Sequence, residues 1–370
     1  MSSTRGAPHD VRSESVRLRG IRCDPVTTRP AVATLSFLTP GNYADHDPAT
    51  GLEDTLQLFE YGESLGFDGA WIRQRHLEHG VGSAAVFLAA AGQRTRRIEL
   101  GTAVIPIGYE SPFRLAEDLS MADALSGGRL QPGFSAGTPP HAELMGHLVF
   151  DGDWRDYDLS YGRIERLVQN LRGDYLGAED TVIHSPGNTQ RPRLQPHSPG
   201  LVDRLWYGGA STRSVQWAAR AGLNLLTGNI VFGDRADDFA TAQSLLVDDY
   251  RDLVDPARPA RVAIGRVIVP TDSADAPTRE RYRRYAESRH ERTLGPQGER
   301  RVLFAPDLVG TAEQILDRLH ADPVLTRTTE LRLELPYEFH REEYEQILRD
   351  TVELVAPELG WKPAAGDAAA

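Results

Sequence analysis

The stretch between residues 66 and 137 decides the fold. It reads GFDGAWIRQRH (66–76), RRIELGTAVIPIGYESPFRLAEDL (96–119) and LSGGRLQPGFSAG (125–137). Each segment carries a short apolar strand that stops in polar or glycine-rich residues, and helical patterns lie between the strands. Strands that alternate with helices pair in parallel, and the loops after their carboxyl ends hold the chemistry. The sequence therefore predicts a site built from residues 73–79, 103–108 and 135–138.

The same alternation continues along the chain and predicts an α/β fold, a (β/α)8 TIM barrel with insertions after several strands. Residues 138–160 form a long segment with little periodicity, which we expect to be an insertion over the site. We divide the chain into a flexible N-terminal extension (1–30), a single barrel domain (31–360) and a flexible C-terminal tail (361–370). The predicted barrel strands cover residues 31–38, 69–72, 98–105, 130–134, 204–207, 223–227, 262–269 and 330–335.

Composition excludes several classes of function. The formal net charge of -12 argues against a nucleic-acid partner. The single cysteine, Cys23, excludes an internal disulfide framework and a cysteine-based zinc cluster. No run is apolar and long enough to span a membrane, and no Asp/Glu/His set recurs at ligand spacing, so we expect neither a membrane nor a metal site. A cytoplasmic location is the default expectation.

Two loops carry candidate chemistry. The loop Gly208-Gly209-Ala210-Ser211 joins a strand end to a helix start, where free N–H groups and the helix dipole favour an anion. It is either a phosphate site, which often lies late in a barrel, or a tight turn with a serine cap. Arg75, His76 and His79 directly follow a strand. Histidine there can move protons near neutral pH, but these residues can also be solvated loop residues.

Together with YGGASTRSVQWAARAGLNLL (207–226) and LVGTAEQILDRL (308–319), these segments resemble the bacterial luciferase-like monooxygenase family, in order from about residue 31 to residue 357. The resemblance implies a TIM-type barrel that uses reduced FMN, supplied by a separate flavin reductase, and O2 to oxygenate a small organic substrate. It also implies a homodimer. One alternative is a related branch that uses a deazaflavin for hydride transfer. Another is a flavin-binding protein without catalysis.

The resemblance also assigns roles to particular residues. The flavin ring would lie against Ala103 and Val104, where family members often have a cis peptide bond, and along Ser135 and Gly137. The cofactor phosphate would be held by Gly209, Ala210, Ser211 and Arg213.

The catalytic candidates are His76 and Arg75. His76 matches the second histidine of the family's paired-histidine loop, but Arg75 stands where the first is found, and Ala136 replaces an arginine that helps to hold phosphate. Arginine cannot act as a base at neutral pH, so Arg75 would stabilise negative charge or bind an acidic substrate. These changes argue against a true aldehyde luciferase and leave the substrate open.

Overall fold

A computed structural model describes residues 31–364, so the predicted extension (1–30) and residues 365–370 lie outside the described part of the chain. The strands are β1 (Thr34–Thr39), β2 (Gly69–Ile72), β3 (Glu99–Thr102), β4 (Ile105–Pro106), β5 (Leu130–Gln131), β6 (Gly133–Ser135), β7 (Ile183–Ser185), β8 (Asn188–Gln190), β9 (Trp206–Gly208), β10 (Asn224–Thr227), β11 (Ile230–Phe232), β12 (Val262–Arg266), β13 (Ile268–Pro270), β14 (Val302–Phe304), β15 (Leu308–Gly310) and β16 (Glu330–Glu334). The α-helices are α1 (Pro48–Ser64), α2 (Ala84–Arg94), α3 (Pro112–Leu125), α4 (Ala142–Val149), α5 (Gly162–Leu171), α6 (Thr212–Ala221), α7 (Phe239–Leu253), α8 (Ala276–His290), α9 (Ala312–His320) and α10 (Arg341–Asp350).

Ten strands form one parallel sheet in the order β4-β6-β9-β10-β12-β16-β1-β2-β3-β5. β4 continues β3 along the chain, and β6 continues β5 after Pro132. Because β3 pairs with β5 and β4 pairs with β6, the two ends of this order meet and the sheet closes. The ring therefore has eight positions, and the predicted (β/α)8 barrel is confirmed.

Strand residues alternate between the barrel interior and the surrounding helices. On β16, Leu331 and Leu333 belong to the main apolar core, so the alternating residues, including Arg332, face inward. Trp71 of β2 and Trp206 of β9 meet there edge to face, with ring centres 5.4 Å apart. The Arg332 guanidinium lies 3.4 Å from the Trp71 ring centre, and Arg332 is buried. The interior is a packed core that contains charge.

Several boundaries of helices and strands follow from local sequence signals. Helices α2 and α3 begin at Ala84 and Pro112, as their sequences indicate, and a small hairpin, β7–β8, lies in the proline-rich segment 181–199. Gly66 follows α1 with a φ of 91° and Gly222 follows α6 with a φ of 70°. Glycine adopts this left-handed conformation without steric penalty, which is why it ends helices.

Other boundaries are corrected. The predicted strand 98–105 is interrupted at residues 103–104, and the predicted strand 262–269 divides into β12 and β13. The predicted strand 204–207 starts only at Trp206, because Arg204 ends a short 3-10 turn. Trp361, the first residue of the predicted tail, is buried, and its Nε1 donates to Asp68 Oδ2 at 2.8 Å. Among residues 31–364, no helix combines the length and the apolar character needed to cross a bilayer.

Candidate active site

The loop after β2, the loop after β3 and the end of β6 meet in a cavity at the carboxyl end of the barrel. Its empty volume is about 520 Å³ and it opens to solvent. The cavity brings together five of the predicted site residues, and four of these come from the first two loops. Its lining consists of Arg73, Gln74, Arg75, His76, Glu78, Ala103, Val104, Pro106, Tyr109, Ser135 and Pro140.

The wall formed by residues 103–104 has an unusual backbone. The peptide bond between Ala103 and Val104 is cis, as the resemblance implies. On the side of Ser135, Gly137 has a φ of 103°, and a Cβ placed on it would meet no atom within 4 Å. Gly137 is exposed and does not line this cavity, so the open space beside it lies at the end of β6 outside the cavity lining.

His76 is held in one orientation by a buried amide. The Gln74 Oε1 accepts from the Ala84 N–H at 3.0 Å, so the amide nitrogen faces Glu110 Oε1 at 2.7 Å and His76 Nε2 at 3.2 Å. His76 Nε2 is then an acceptor, and the neutral ring carries its proton on Nδ1. Burial lowers the pKa of His76 below its ordinary value of 6.5, which favours this neutral form. Tyr109 packs edge to face on the ring.

The two arginines of this loop have different partners. Arg73 Nη2 donates to the buried carboxylate of Glu334 at 2.8 Å. Arg75 Nη2 donates to the Tyr337 hydroxyl at 3.3 Å, and its Nε lies 3.9 Å from Glu78 Oε2. The charge of Arg73 is therefore matched by a close carboxylate, whereas Arg75 presents a loosely paired cation to the cavity.

The predicted insertion 138–160 contacts the cavity. Pro140 lines it, and the Tyr109 hydroxyl donates to the Pro140 carbonyl. His141 Nε2 lies 3.4 Å from Glu78 Oε1, which joins the insertion to the loop after β2. The segment includes α4, although its sequence shows little helical periodicity. These contacts place the insertion beside the mouth of the cavity.

The predicted phosphate loop lies next to this cavity but is internally bonded. A Cβ placed on Gly208 would lie 2.9 Å from Val104 Cγ1, so the loop begins beside the cavity wall. The Gly209 N–H donates to the Leu226 carbonyl at 2.9 Å. The N–H groups of Ala210 and Ser211 both donate to the Ser214 hydroxyl, at 3.2 and 3.0 Å.

The next residues of this loop face a second cavity. The Thr212 N–H donates to Asp234 Oδ2 at 2.9 Å. Arg213 is exposed and lines this second, wider cavity together with Thr212 and Asp234, away from Arg75 and His76. The residues present thus fit a flavin ring at the first cavity, but the predicted backbone donors for its phosphate are already in use.

Sequence reasoning missed residues that orient the site. Gln74, Tyr109 and Glu110 lie within the segments that decide the fold, and their position after strand ends is the signal that would have indicated them. Glu334 is the last residue of β16 and Tyr337 follows it, about 260 positions from the loop they contact, and no local pattern marks them. Within residues 31–364 no group of three or more His, Cys, Asp or Glu is arranged to hold a metal ion.

A closed parallel barrel with a polar cavity at its carboxyl end is the arrangement found in (β/α)8 enzymes. The sequence profile described as luciferase-like monooxygenase matches residues 33–326, most of the chain, and the chain belongs to this family. Limonene 1,2-monooxygenase of Rhodococcus erythropolis is 32% identical over 185 residues, which are 47% of this chain and 48% of that protein. The chain thus spans about half the length of the curated relatives it matches, or less.

Solved structures share the fold. Monooxygenase RslO1 of Streptomyces bottropensis superposes with a TM-score of 0.65 at 21% identity, covering 88% of this chain and 99% of that one. The oxygenating constituent of 3,6-diketocamphane monooxygenase of Pseudomonas putida, solved with FMN, gives 0.59 at 14% identity (90% and 99%). An F420-dependent secondary alcohol dehydrogenase gives 0.60 at 14% identity (89% and 99%). These similarities concern the fold alone.

Proposed function

We propose that this protein is an FMN-dependent monooxygenase that uses O2 to oxygenate a small organic substrate. One observation carries the proposal. A single cavity at the barrel mouth joins the cis Ala103–Val104 wall, Ser135, and the pair Arg75 and His76. Membership of a monooxygenase family supports the same reaction class.

Ala103, Val104, Ser135 and Gly137 would hold the ring of the cofactor. When bound, reduced FMN would supply the two electrons with which one atom of O2 enters the substrate and the other leaves as water. The protein's task is then to position the reactants, exclude water and handle protons. The cis Ala103–Val104 backbone lines the cavity and offers one wall against which a ring can be positioned.

His76 would handle the proton. Its Nε2 accepts from Gln74, and within residues 31–364 its Nδ1 has no hydrogen-bond partner, so Nδ1–H is the group left to offer a proton to a ligand. The lowered pKa keeps the imidazole neutral at neutral pH, so His76 meets the ligand as an N–H donor.

Arg75 would meet negative charge, either on the reacting groups or on an acidic substrate. Its guanidinium lines the cavity and contacts one neutral hydroxyl and one distant carboxylate. A guanidinium stays protonated at all physiological pH values, so it can stabilise an anion but cannot remove a proton. Residues 138–160 would limit the access of water through the contacts of Pro140 and His141.

The decisive experiment compares the binding of reduced FMN and of the reduced deazaflavin under anaerobic conditions. We expect reduced FMN to bind more tightly. With a flavin reductase and candidate substrates, isotopically labelled O2 should then deliver one labelled atom to the product. Tight binding of the deazaflavin without FMN binding would instead support the hydride-transfer enzyme. Flavin binding without turnover of any substrate, unchanged by Arg75→Ala or His76→Ala, would support the non-catalytic protein.

We also propose a homodimer that buries the outer surface of α2 and α3. This surface exposes Val86, Phe113, Met121 and Leu125. Introducing charge with Leu125→Glu is expected to convert the dimer to a monomer in light scattering, because the charge would be buried at the interface. Leu253→Glu, at an exposed apolar position on α7, is the matched control. A monomeric parent protein would contradict the proposal.

A further inference from the structure

The amino end of α6 already carries an anion from the protein itself. Asp234, in the loop after β11, places its Oδ2 2.9 Å from the Thr212 N–H, at the first residue of the helix. A carboxylate is favoured at a helix amino end for the same reason as a phosphate, because both meet unsatisfied N–H groups and the positive end of the helix dipole. Asp234 therefore lies where the resemblance expects the cofactor phosphate.

Beside Asp234, the Thr212 hydroxyl and the Arg213 guanidinium are two further hydrogen-bond donors. The Thr212 hydroxyl oxygen is buried and has no hydrogen-bond partner in the described part of the chain. Arg213 is exposed, and its guanidinium lies 5.9 Å from the Tyr161 ring centre. Both residues line the second cavity, whose empty volume is about 1030 Å³. By contrast, the N–H groups of Ala210 and Ser211 are both bonded to Ser214, so they are not available without breaking the capping box of α6.

We propose, on the basis that the protein binds a phosphate-bearing flavin as described above, that Asp234 competes with the cofactor phosphate for the amino end of α6. Binding of the phosphate displaces the Asp234 carboxylate. The phosphate then takes the Thr212 N–H and hydroxyl, with Arg213 beside it. Asp234 is exposed, so its carboxylate can turn into solvent without being buried unpaired.

This competition lowers the affinity for the phosphate-bearing form of the flavin. Two negative charges cannot share one helix end without repulsion, so each bound phosphate must overcome the internal carboxylate. A cofactor that enters reduced and leaves oxidised in every turnover benefits from such weakened binding. Asp234 is thus a residue that tunes retention and release of the cofactor, distinct from Arg75 and His76, which face the first cavity.

The test measures binding of FMN and of riboflavin, which lacks the phosphate, to the full-length protein. Asp234→Asn keeps a hydrogen-bond acceptor for Thr212 but removes the charge, and Asp234→Ala removes both. We expect both variants to bind FMN roughly three- to tenfold more tightly, the effect of one charge at a helix end, with riboflavin affinity unchanged. Asp237→Asn is the matched control, because this exposed aspartate of the same loop pairs with Arg301 and should leave both affinities unchanged.

The outcomes separate this proposal from the proposed function. If FMN binds but Asp234→Asn and Asp234→Ala leave the ratio of FMN to riboflavin affinity unchanged, or lower it, the competition is refuted while flavin binding stands. If Asp237→Asn tightens FMN binding as much as Asp234→Asn, general electrostatics explains the gain and the specific competition is refuted. If no variant binds either flavin, the proposed function fails and this proposal fails with it.

Discussion

Arginines at the two ends of the barrel differ in how completely their charges are matched. At the amino end, Arg261 makes four hydrogen bonds of 2.7 to 3.0 Å to the carboxylates of Glu99 and Glu330. At the carboxyl mouth, Arg75 has a neutral hydroxyl at 3.3 Å and a carboxylate at 3.9 Å. The two carboxylates neutralise the charge of Arg261 within the protein. The charge of Arg75 is incompletely neutralised and remains available to a ligand.

This difference indicates which end of the barrel serves stability and which serves function. Glu330 is buried and Arg261 is partly buried, so removing Arg261 would leave a buried carboxylate without its partner, which is costly. An active site shows the reverse pattern, because a group that will meet a ligand must remain incompletely paired until the ligand arrives.

The largest expected effect tests the amino end. Arg261→Met leaves two carboxylates without their shared cation, and we expect the free energy of unfolding to fall by about 3 kcal/mol. Chemical denaturation monitored by circular dichroism measures the change. Arg283→Met, which removes an arginine paired with Glu280 and Glu287 on the exposed face of α8, is the control and should leave the midpoint nearly unchanged. If Arg261→Met and Arg283→Met lowered the free energy of unfolding equally, the partly buried ion pairs of Arg261 would contribute no more to stability than the exposed pairs of Arg283.

The next effect tests the mouth. Arg75→Met is expected to reduce kcat/KM roughly ten- to a hundredfold, the value of a charged hydrogen bond to a ligand, while the denaturation midpoint changes little. Arg75→Lys should retain part of the activity, because the positive charge remains but the guanidinium geometry does not. A variant that is fully active but unstable would show that Arg75 belongs with Arg261 as a structural residue.

A smaller effect concerns the orientation of His76. Gln74→Leu removes the acceptor for the Ala84 N–H at the start of α2 and the donor for His76 Nε2. We expect a loss of about 1 kcal/mol in stability and a fall in kcat with little change in KM. Gln93→Leu, which removes an exposed amide that bonds the Leu125 carbonyl, serves as the control for the loss of one side-chain hydrogen bond. An unchanged kcat in Gln74→Leu would refute the orienting role.

The smallest effect is a pH dependence at the mouth. Because burial lowers the pKa of His76, the unfolded chain takes up the proton first as the pH falls through 6.5. The stabilising contribution of the neutral imidazole is therefore complete above pH 6.5 and declines as the pH falls towards the lowered pKa. The acid limb of kcat/KM should likewise lie below pH 6.5 and disappear in His76→Gln. A limb above pH 6.5 would contradict this assignment.

Local sequence patterns predicted most of the barrel. Glycines after helices, proline at the start of α3 and the capping box at Thr311 act through neighbouring residues only, so the sequence alone indicates them. The convergence of three strand-end loops was also predictable, because parallel strands present their carboxyl ends at one edge. The cis peptide bond between Ala103 and Val104 followed from the family resemblance, whereas the break in the strand at these residues was not predicted.

Hydrophobic periodicity and short-range backbone preferences establish the order of strands and helices, and the end of the barrel at which polar residues collect. Which charges are matched depends instead on contacts that exist only in the folded chain. The barrel brings β16 close to β2, so Glu334 and Tyr337 contact the loop after β2. Asp234 contacts the amino end of α6 from the loop after β11. Pairing between residues distant in the chain depends on distances of a few ångströms, which no local pattern of residues encodes.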